Sequence, residues 1–235
     1  MTSADTAPGP LLPQAVLVDC DGLLADTEPA WGRATSRLLA AFGIGVDDAA
    51  LTEQLTGVSL AETVLHLSRL VGAGSPGPEE LERRLLDLFR QDLAEHGATA
   101  MPGARELLRR LAPTTPVAVV SNSPRALVGD ILRHTGLLPY VRVVVGAHGS
   151  CRPKPAPDPY LTGCSLLGVA PEHCLALEDS PTGARAAVAA GLRVTVVPPP
   201  GVHPAEYPPG VVHLATLLDA DAAWQAELTT RHPIG

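Results

Sequence analysis

Short apolar runs alternate with amphipathic stretches along most of the chain. The runs are Ala15 to Asp19 (AVLVD), Pro116 to Ser121 (PVAVVS), Val141 to Val145 (VRVVV), Cys174 to Leu177 (CLAL) and Arg193 to Val197 (RVTVV). Brief valine- and leucine-rich runs without polar alternation predict strands covered on both faces. Ser123-Pro124, Asp158-Pro159 and Ser180-Pro181 each pair an N-cap residue with proline at the first helical position, and Gly136, Gly168 and Gly191 fall where helices would end. Strands and helices in alternation predict an α/β fold with a mostly parallel sheet, helices on both faces and right-handed crossovers. Ligands should then bind at the carboxyl ends of the strands.

One region breaks the alternation. From about Trp31 to Glu95 no strand-like run occurs, but amphipathic stretches cover Arg33 to Ala41, Leu60 to Leu70 and Glu79 to Leu93, with a Gly/Pro-rich loop from Gly72 to Pro78. This predicts an all-helical insertion, residues 30–98, into a core made of 13–29 and 99–235. Residues 1–12 are small, polar and proline-punctuated and are expected to form a flexible leader. The stretch 198–210 (PPPGVHPAEYPPG) should be an irregular loop.

Composition narrows the function classes. Of 235 residues, 46% are hydrophobic and 18% charged, enough apolar material for a sizeable core. The formal charge of −8 provides no global field for nucleic acid or an anionic membrane, so neither is expected as a partner. The longest stretch without Asp, Glu, Lys or Arg is the fourteen residues Leu111 to Pro124, too short to span a bilayer. No Lys or Arg precedes Arg33, which argues against a secretory or transit signal and for a cytoplasmic protein. The four cysteines, Cys20, Cys151, Cys164 and Cys174, form no CxxC pair and read as core thiols in a reducing compartment. One lysine, Lys154, stands against sixteen arginines, and that scarcity makes its position informative.

Four strand ends carry candidate chemistry. Asp19 and Asp21 flank Cys20 before Gly22, and carboxylates two apart emerge on one side of an extended chain. Such a pair can divide labour between an ionised nucleophile, Asp19, and a proton-bearing acid, Asp21. Alone, DCDG would equally describe an acidic turn. Ser121 and Asn122 precede a helix start, a natural cradle for phosphate oxygens, although such residues can also simply cap a helix. Lys154 lies among alternating prolines in RPKPAPDPY, a stiff setting for an aimed ammonium that could stabilise a transferring phosphoryl group. Glu178 and Asp179 end the CLAL run. With Asp19 and Asp21 they would overload one pocket with negative charge unless a cation were present, and magnesium, which takes carboxylates and phosphate oxygens, is the expected one.

The segments DCDGLLADTEP, SNSP, KPAPDPY and EDSPTGARAAVAAG together resemble the four motifs of the haloacid dehalogenase superfamily, nearest to the subfamily typified by β-phosphoglucomutase. The resemblance implies a Rossmann-like core with a helical cap inserted after the first motif, and two-step phosphoryl transfer. It makes Asp19 the nucleophile that forms an aspartyl-phosphate and Asp21 the acid and then the base. Ser121 and Asn122 would hold the phosphoryl oxygens, with Lys154 bridging them to Asp19. Mg2+ would bind the Asp19 carboxylate, the Asp21 main-chain carbonyl and Asp179, with Glu178 a direct or water-mediated partner.

Departures from the family narrow the activity. Its dehalogenases lack an acid two positions after the nucleophile, so Asp21 points to phosphate esters. Its phosphonatases require a cap lysine, and this insertion has none. Where the glucose-phosphate mutase places a phosphate-gripping arginine and a histidine, this chain has Leu60 and Trp31. The expectation is a magnesium-dependent phosphatase acting on a small phosphorylated metabolite of the sugar or polyol phosphate type. A phosphomutase and a non-catalytic phosphometabolite sensor are the alternatives. Specificity would come from around Glu28, Trp31 and Thr56 to Ser59.

Overall fold

The computed structural model describes residues 13–45, 60–72, 76–147 and 151–220. The leader, the Thr56 to Ser59 stretch and part of the Gly72 to Pro78 loop lie outside them. The first strand is β1 (Ala15–Val18), followed by the short β2 (Ala25–Asp26). Three helices come next: α1 (Glu28–Ala40), α2 (Leu60–Val71) and α3 (Pro78–His96). The short β3 (Thr99–Ala100) pairs antiparallel with β2, so this two-stranded ladder joins the chain on either side of the helices. There follow α4 (Ala104–Leu111), β4 (Val117–Pro124), α5 (Arg125–His134), β5 (Val143–Ala147) and α6 (Asp158–Leu167). The last elements are β6 (Cys174–Glu178), α7 (Pro181–Ala189), β7 (Arg193–Val196) and β8 (Val212–His213).

Six strands form one sheet in the order β5-β4-β1-β6-β7-β8, and every pairing is parallel. This is the α/β, Rossmann-like sheet that the alternating pattern predicts. β1 lies between β4 and β6, so its carboxyl end sits beside theirs. Side chains alternate across the sheet. Val16, Val18, Val119 and Leu177 enter one apolar cluster, which continues into α1, α2 and α3 through Leu38, Leu67 and Phe89. Ala15, Leu17, Val120 and Ala176 enter the other, against Tyr160 and Cys164 of α6 and Ala184 and Ala187 of α7. Both faces are therefore dry, which is why these strands read as uniform apolar runs rather than alternating ones.

The helix signals are met unevenly. Ser180 caps α7 through its side chain, which accepts from the Gly183 N–H at 3.0 Å, and Gly168 ends α6 in the left-handed region at φ 70°. Two expected starts shift by a residue. Pro124, not Ser123, is the N-cap of α5, because β4 runs on to Pro124 and the Ser123 hydroxyl is used elsewhere. Asp158 is the first residue of α6 rather than its cap, and its carboxylate pairs with Arg152 at 2.9 Å. β8 lies beyond the last expected strand. Among the described residues no helix is long and apolar enough to cross a membrane.

Candidate active site

The carboxyl ends of β1, β4 and β6 open into a cavity of 910 Å3 whose floor carries Asp19, Asp21, Ser121, Lys154 and Asp179. Residues up to 160 positions apart in sequence are thus brought together by strand order alone. Asp19 follows β1 directly and its N–H donates to the Leu177 carbonyl at 3.0 Å, fixing the carboxylate at the boundary between β1 and β6. At Gly22 the chain turns with φ 81°, and a Cβ there would run into the Asp179 carboxylate. Glycine lets the first acidic turn lie against the second.

Lys154 is buried and all three of its ammonium protons are placed. They go to Asp19 Oδ1 at 2.6 Å, Glu178 Oε1 at 2.6 Å and the Val120 carbonyl at 2.8 Å. The segment bearing it is docked by Asn122, whose side chain accepts from the Lys154 N–H at 2.8 Å and donates to the Lys154 carbonyl at 3.2 Å. The Asn122 amide is therefore spent on placing the lysine. Asp21 accepts from Thr27 on Oδ1 at 3.0 Å and from Ser121 and Ser123 on Oδ2 at 2.9 and 3.1 Å. The Ser121 hydroxyl also accepts from the Ser123 N–H at 2.9 Å.

Glu178 is fully buried. Besides Lys154 it accepts from the Tyr160 hydroxyl at 2.5 Å on Oε1 and from Ser180 at 3.3 Å on Oε2. A Cβ on Gly183 would fall on this carboxylate, so the first turn of α7 closes over it only because residue 183 has no side chain. The Asp179 carbonyl accepts from the Tyr207 hydroxyl, which ties the proline-rich stretch after β7 to the site. That stretch contributes Pro199, Val202 and Glu206 to the cavity wall, and α7 contributes Arg185. Thr27, Tyr160 and Tyr207 carry no sequence signal of their own, and Ser123 carries only that of a helix cap, since the role of each is recognisable only through a partner distant in the chain.

Electrostatics set the character of the floor. Burial pushes the Asp19 carboxyl up to about 7, against the pull of Lys154 and with the repulsion of Glu178 and Asp21. Asp179 is also raised, by burial and then by Asp19 and Glu178. Burial opposes the charge on Lys154, but Asp19 and Glu178 overcome it and hold the ammonium above its ordinary value. One carboxylate oxygen each from Asp19, Glu178 and Asp179 lie within 4.8 Å of one another. Crowded, desolvated carboxylates facing a single ammonium fit a hard divalent cation with oxygen ligands such as Mg2+.

Comparison with known proteins bears on this geometry. Residues 13–191 match the family model for haloacid dehalogenase-like hydrolases. Hexitol phosphatase A of Escherichia coli K12 is 33% identical over 189 residues, 80% of this chain and 84% of that protein. The crystal structure of CbbY from Rhodobacter sphaeroides in complex with phosphate superposes with a TM-score of 0.76 at 28% identity, covering 88% of this chain and 96% of the other. β-Phosphoglucomutase from Clostridium difficile shares the fold, with a TM-score of 0.73 at 21% identity over 93% of this chain and 98% of its own. An acidic strand-end cluster in a parallel sheet and a family match spanning most of the described core lead to one assignment: the chain belongs to the haloacid dehalogenase-like hydrolases.

Proposed function

We propose that this hydrolase is a Mg2+-dependent phosphatase that releases phosphate from a small sugar or polyol phosphate through an aspartyl-phosphate on Asp19. The observation that carries the reading is the convergence of a buried carboxylate nucleophile, an aimed ammonium and a hydroxyl-held second carboxylate in one cavity. Asp19, Asp179 and the Asp21 main-chain carbonyl would hold the cation. Glu178 stands beside them, its oxygens shared with Lys154, Tyr160 and Ser180. When bound, Mg2+ supplies Lewis-acid stabilisation of phosphoryl oxygens and offsets the negative floor.

The remaining chemistry belongs to the chain. Lys154 favours the ionised form of Asp19 against its burial and orients it, with Oδ1 on the ammonium and the other oxygen available to attack phosphorus. Asp21 in its acid form gives its proton to the departing ester oxygen as the P–O bond breaks. Then, as a carboxylate, it takes a proton from the water that attacks the phosphoryl-aspartate and frees Asp19. Thr27, Ser121 and Ser123 fix the orientation of Asp21 for both steps. Ser121, by turning its hydroxyl from Asp21, and the main chain at Asn122 would cradle the phosphoryl oxygens.

Residues 30–98 are read as a cap that closes over the cavity and excludes water. α1 and α2 bring Trp31, Thr35, Leu60 and Thr63 to its wall. Leu60 and Trp31 offer no grip on a second phosphate, which favours hydrolysis over mutase exchange. The setting assigned is the cytoplasm, where thiols such as Cys164 and Cys174, with Sγ atoms 3.6 Å apart, stay reduced.

The test is phosphate release across a panel of hexitol, hexose and pentitol phosphates, with wild type and Asp19→Asn side by side. Wild type should turn over one or more members, lose that activity in EDTA and regain it with Mg2+. Asp19→Asn should lose on the order of 10^4-fold. Robust turnover by Asp19→Asn would overturn the covalent route, and bisphosphate-dependent isomerisation without net phosphate release would replace hydrolysis by mutase chemistry.

A further inference from the structure

Glu178 takes no covalent part in this transfer, yet it is the most sequestered acid of the floor, at 0% exposure. Its Oε1 receives two donors, the Lys154 ammonium at 2.6 Å and the Tyr160 hydroxyl at 2.5 Å. Tyr160 is fully buried in the apolar layer with Leu17, Val120 and Cys164, and Lys154 Nζ lies 5.2 Å from its ring centroid. Phenylalanine would satisfy that packing equally well, so the hydroxyl calls for its own explanation. Lysine has three protons to give, and here two of them go to competing carboxylates, Asp19 and Glu178. Whichever carboxylate carries more uncompensated charge draws the ammonium toward itself. Glu178 is closed to bulk solvent, so the task of evening the balance falls to protein donors.

We propose that Tyr160 is a positioning residue for phosphoryl transfer: by donating to Glu178 Oε1 it takes up part of that carboxylate's charge and keeps the Lys154 ammonium on Asp19 Oδ1. The sequence builds this economically. Lys154 and Tyr160 sit in the same KPAPDPY segment, and the third residue of α6 returns the hydroxyl to the acid that its own lysine contacts. Without the hydroxyl, Glu178 pulls the ammonium off Asp19, so the nucleophile loses orientation while the surfaces that bind substrate are untouched.

The chain's single lysine makes this directly observable, because 15N-labelled lysine gives one side-chain ammonium signal. In metal-free Tyr160→Phe, which keeps the ring, that signal should shift and its protons should exchange faster with solvent. The kinetic arm rests on the phosphatase reading: kcat should fall about tenfold with KM for the phosphate ester unchanged, as expected for loss of a hydrogen bond to a buried charge. On a Glu178→Gln background the competing charge is gone, and Tyr160→Phe should add no further shift. An ammonium signal in Tyr160→Phe identical to wild type, or an undiminished extra shift on the Glu178→Gln background, overturns the proposal. Failure of every phosphate ester as substrate would instead strike the phosphatase reading and leave the ammonium signal to decide the role of Tyr160.

Discussion

The strand-end floor and the face between α1 and α3 both hold charges in pairs, but they hold them for different ends. In the helical layer, Arg33 of α1 grips Asp92 of α3 through two bonds of 2.8 and 2.7 Å. The acid is 1% exposed, but the guanidinium is 41% exposed and shares its charge with water. On the outer face of α3, Arg83 and Arg84 pair with Glu80 in contact with solvent. There every acid named meets at least one arginine that keeps contact with water. On the floor, several acids share one ammonium out of water, and the imbalance is kept. A region that only has to pack neutralises its charges locally. A region that must bind a cation and a phosphoryl group retains a surplus, at a cost in stability.

The sharpest way to break this contrast is Lys154→Met. Removing the one cation from a buried set of carboxylates should destabilise the protein by about 3–5 kcal/mol, read by urea denaturation, and abolish turnover. Adding Glu178→Gln to it should recover part of the stability and none of the activity. Asp92→Asn removes the Arg33 pairing of the helical layer and the charge that faces His96 at 3.2 Å. It should cost about 1–2 kcal/mol, because the arginine it abandons can turn to water, and should leave phosphate-ester turnover within a few-fold of wild type.

The two regions should also answer pH with opposite sign. Asp19 is raised from 3.8 to about 7 on folding, so between those values the folded state holds more protons than the unfolded one. Stability of the EDTA-treated protein should therefore fall as pH rises through that window, and Asp19→Asn should flatten the slope. Asp92 is held below its ordinary value of 3.8 by the Arg33 hydrogen bonds. Its contribution is complete above 3.8 and disappears as pH falls through its lowered folded value, so melting temperature should drop there in the wild type and less so in Asp92→Asn. Smallest of all, Arg83→Ala should leave the melting temperature unchanged within error, since its pairings with Glu80 and Asp87 are exposed.

Much of the floor was legible in the sequence because its groups sit at strand ends, and strand ends are what apolar runs mark. Asp19, Ser121 and Glu178 each close such a run, and Lys154 stood out by scarcity. The helical layer was legible through its periodicity, although α1 begins at Glu28, ahead of the Arg33 at which the amphipathic pattern first stands out. What could not be read was partnership. Asn122 was assigned to phosphate by position, whereas its side chain docks a segment 32 residues away. Ser123 has the composition of a cap but serves Asp21 across 102 residues. Tyr160 and Tyr207 look like ordinary core aromatics until the acids they meet are known. Local pattern reports which way a side chain faces, and only the assembled sheet reports what it faces.

The alternation of β1 between two dry layers carries a consequence for how this chain can vary. Ala15 and Leu17 belong to one layer, Val16 and Val18 to the other, and Asp19 is the next step of the same count. Swapping one aliphatic for another in this strand leaves that count intact. Deleting or inserting a single residue exchanges the layers and turns the nucleophile away from its ammonium, while a two-residue change restores the facing but displaces the carboxylate by about 7 Å. The first strand therefore works as a ruler, tolerant of spelling and intolerant of length.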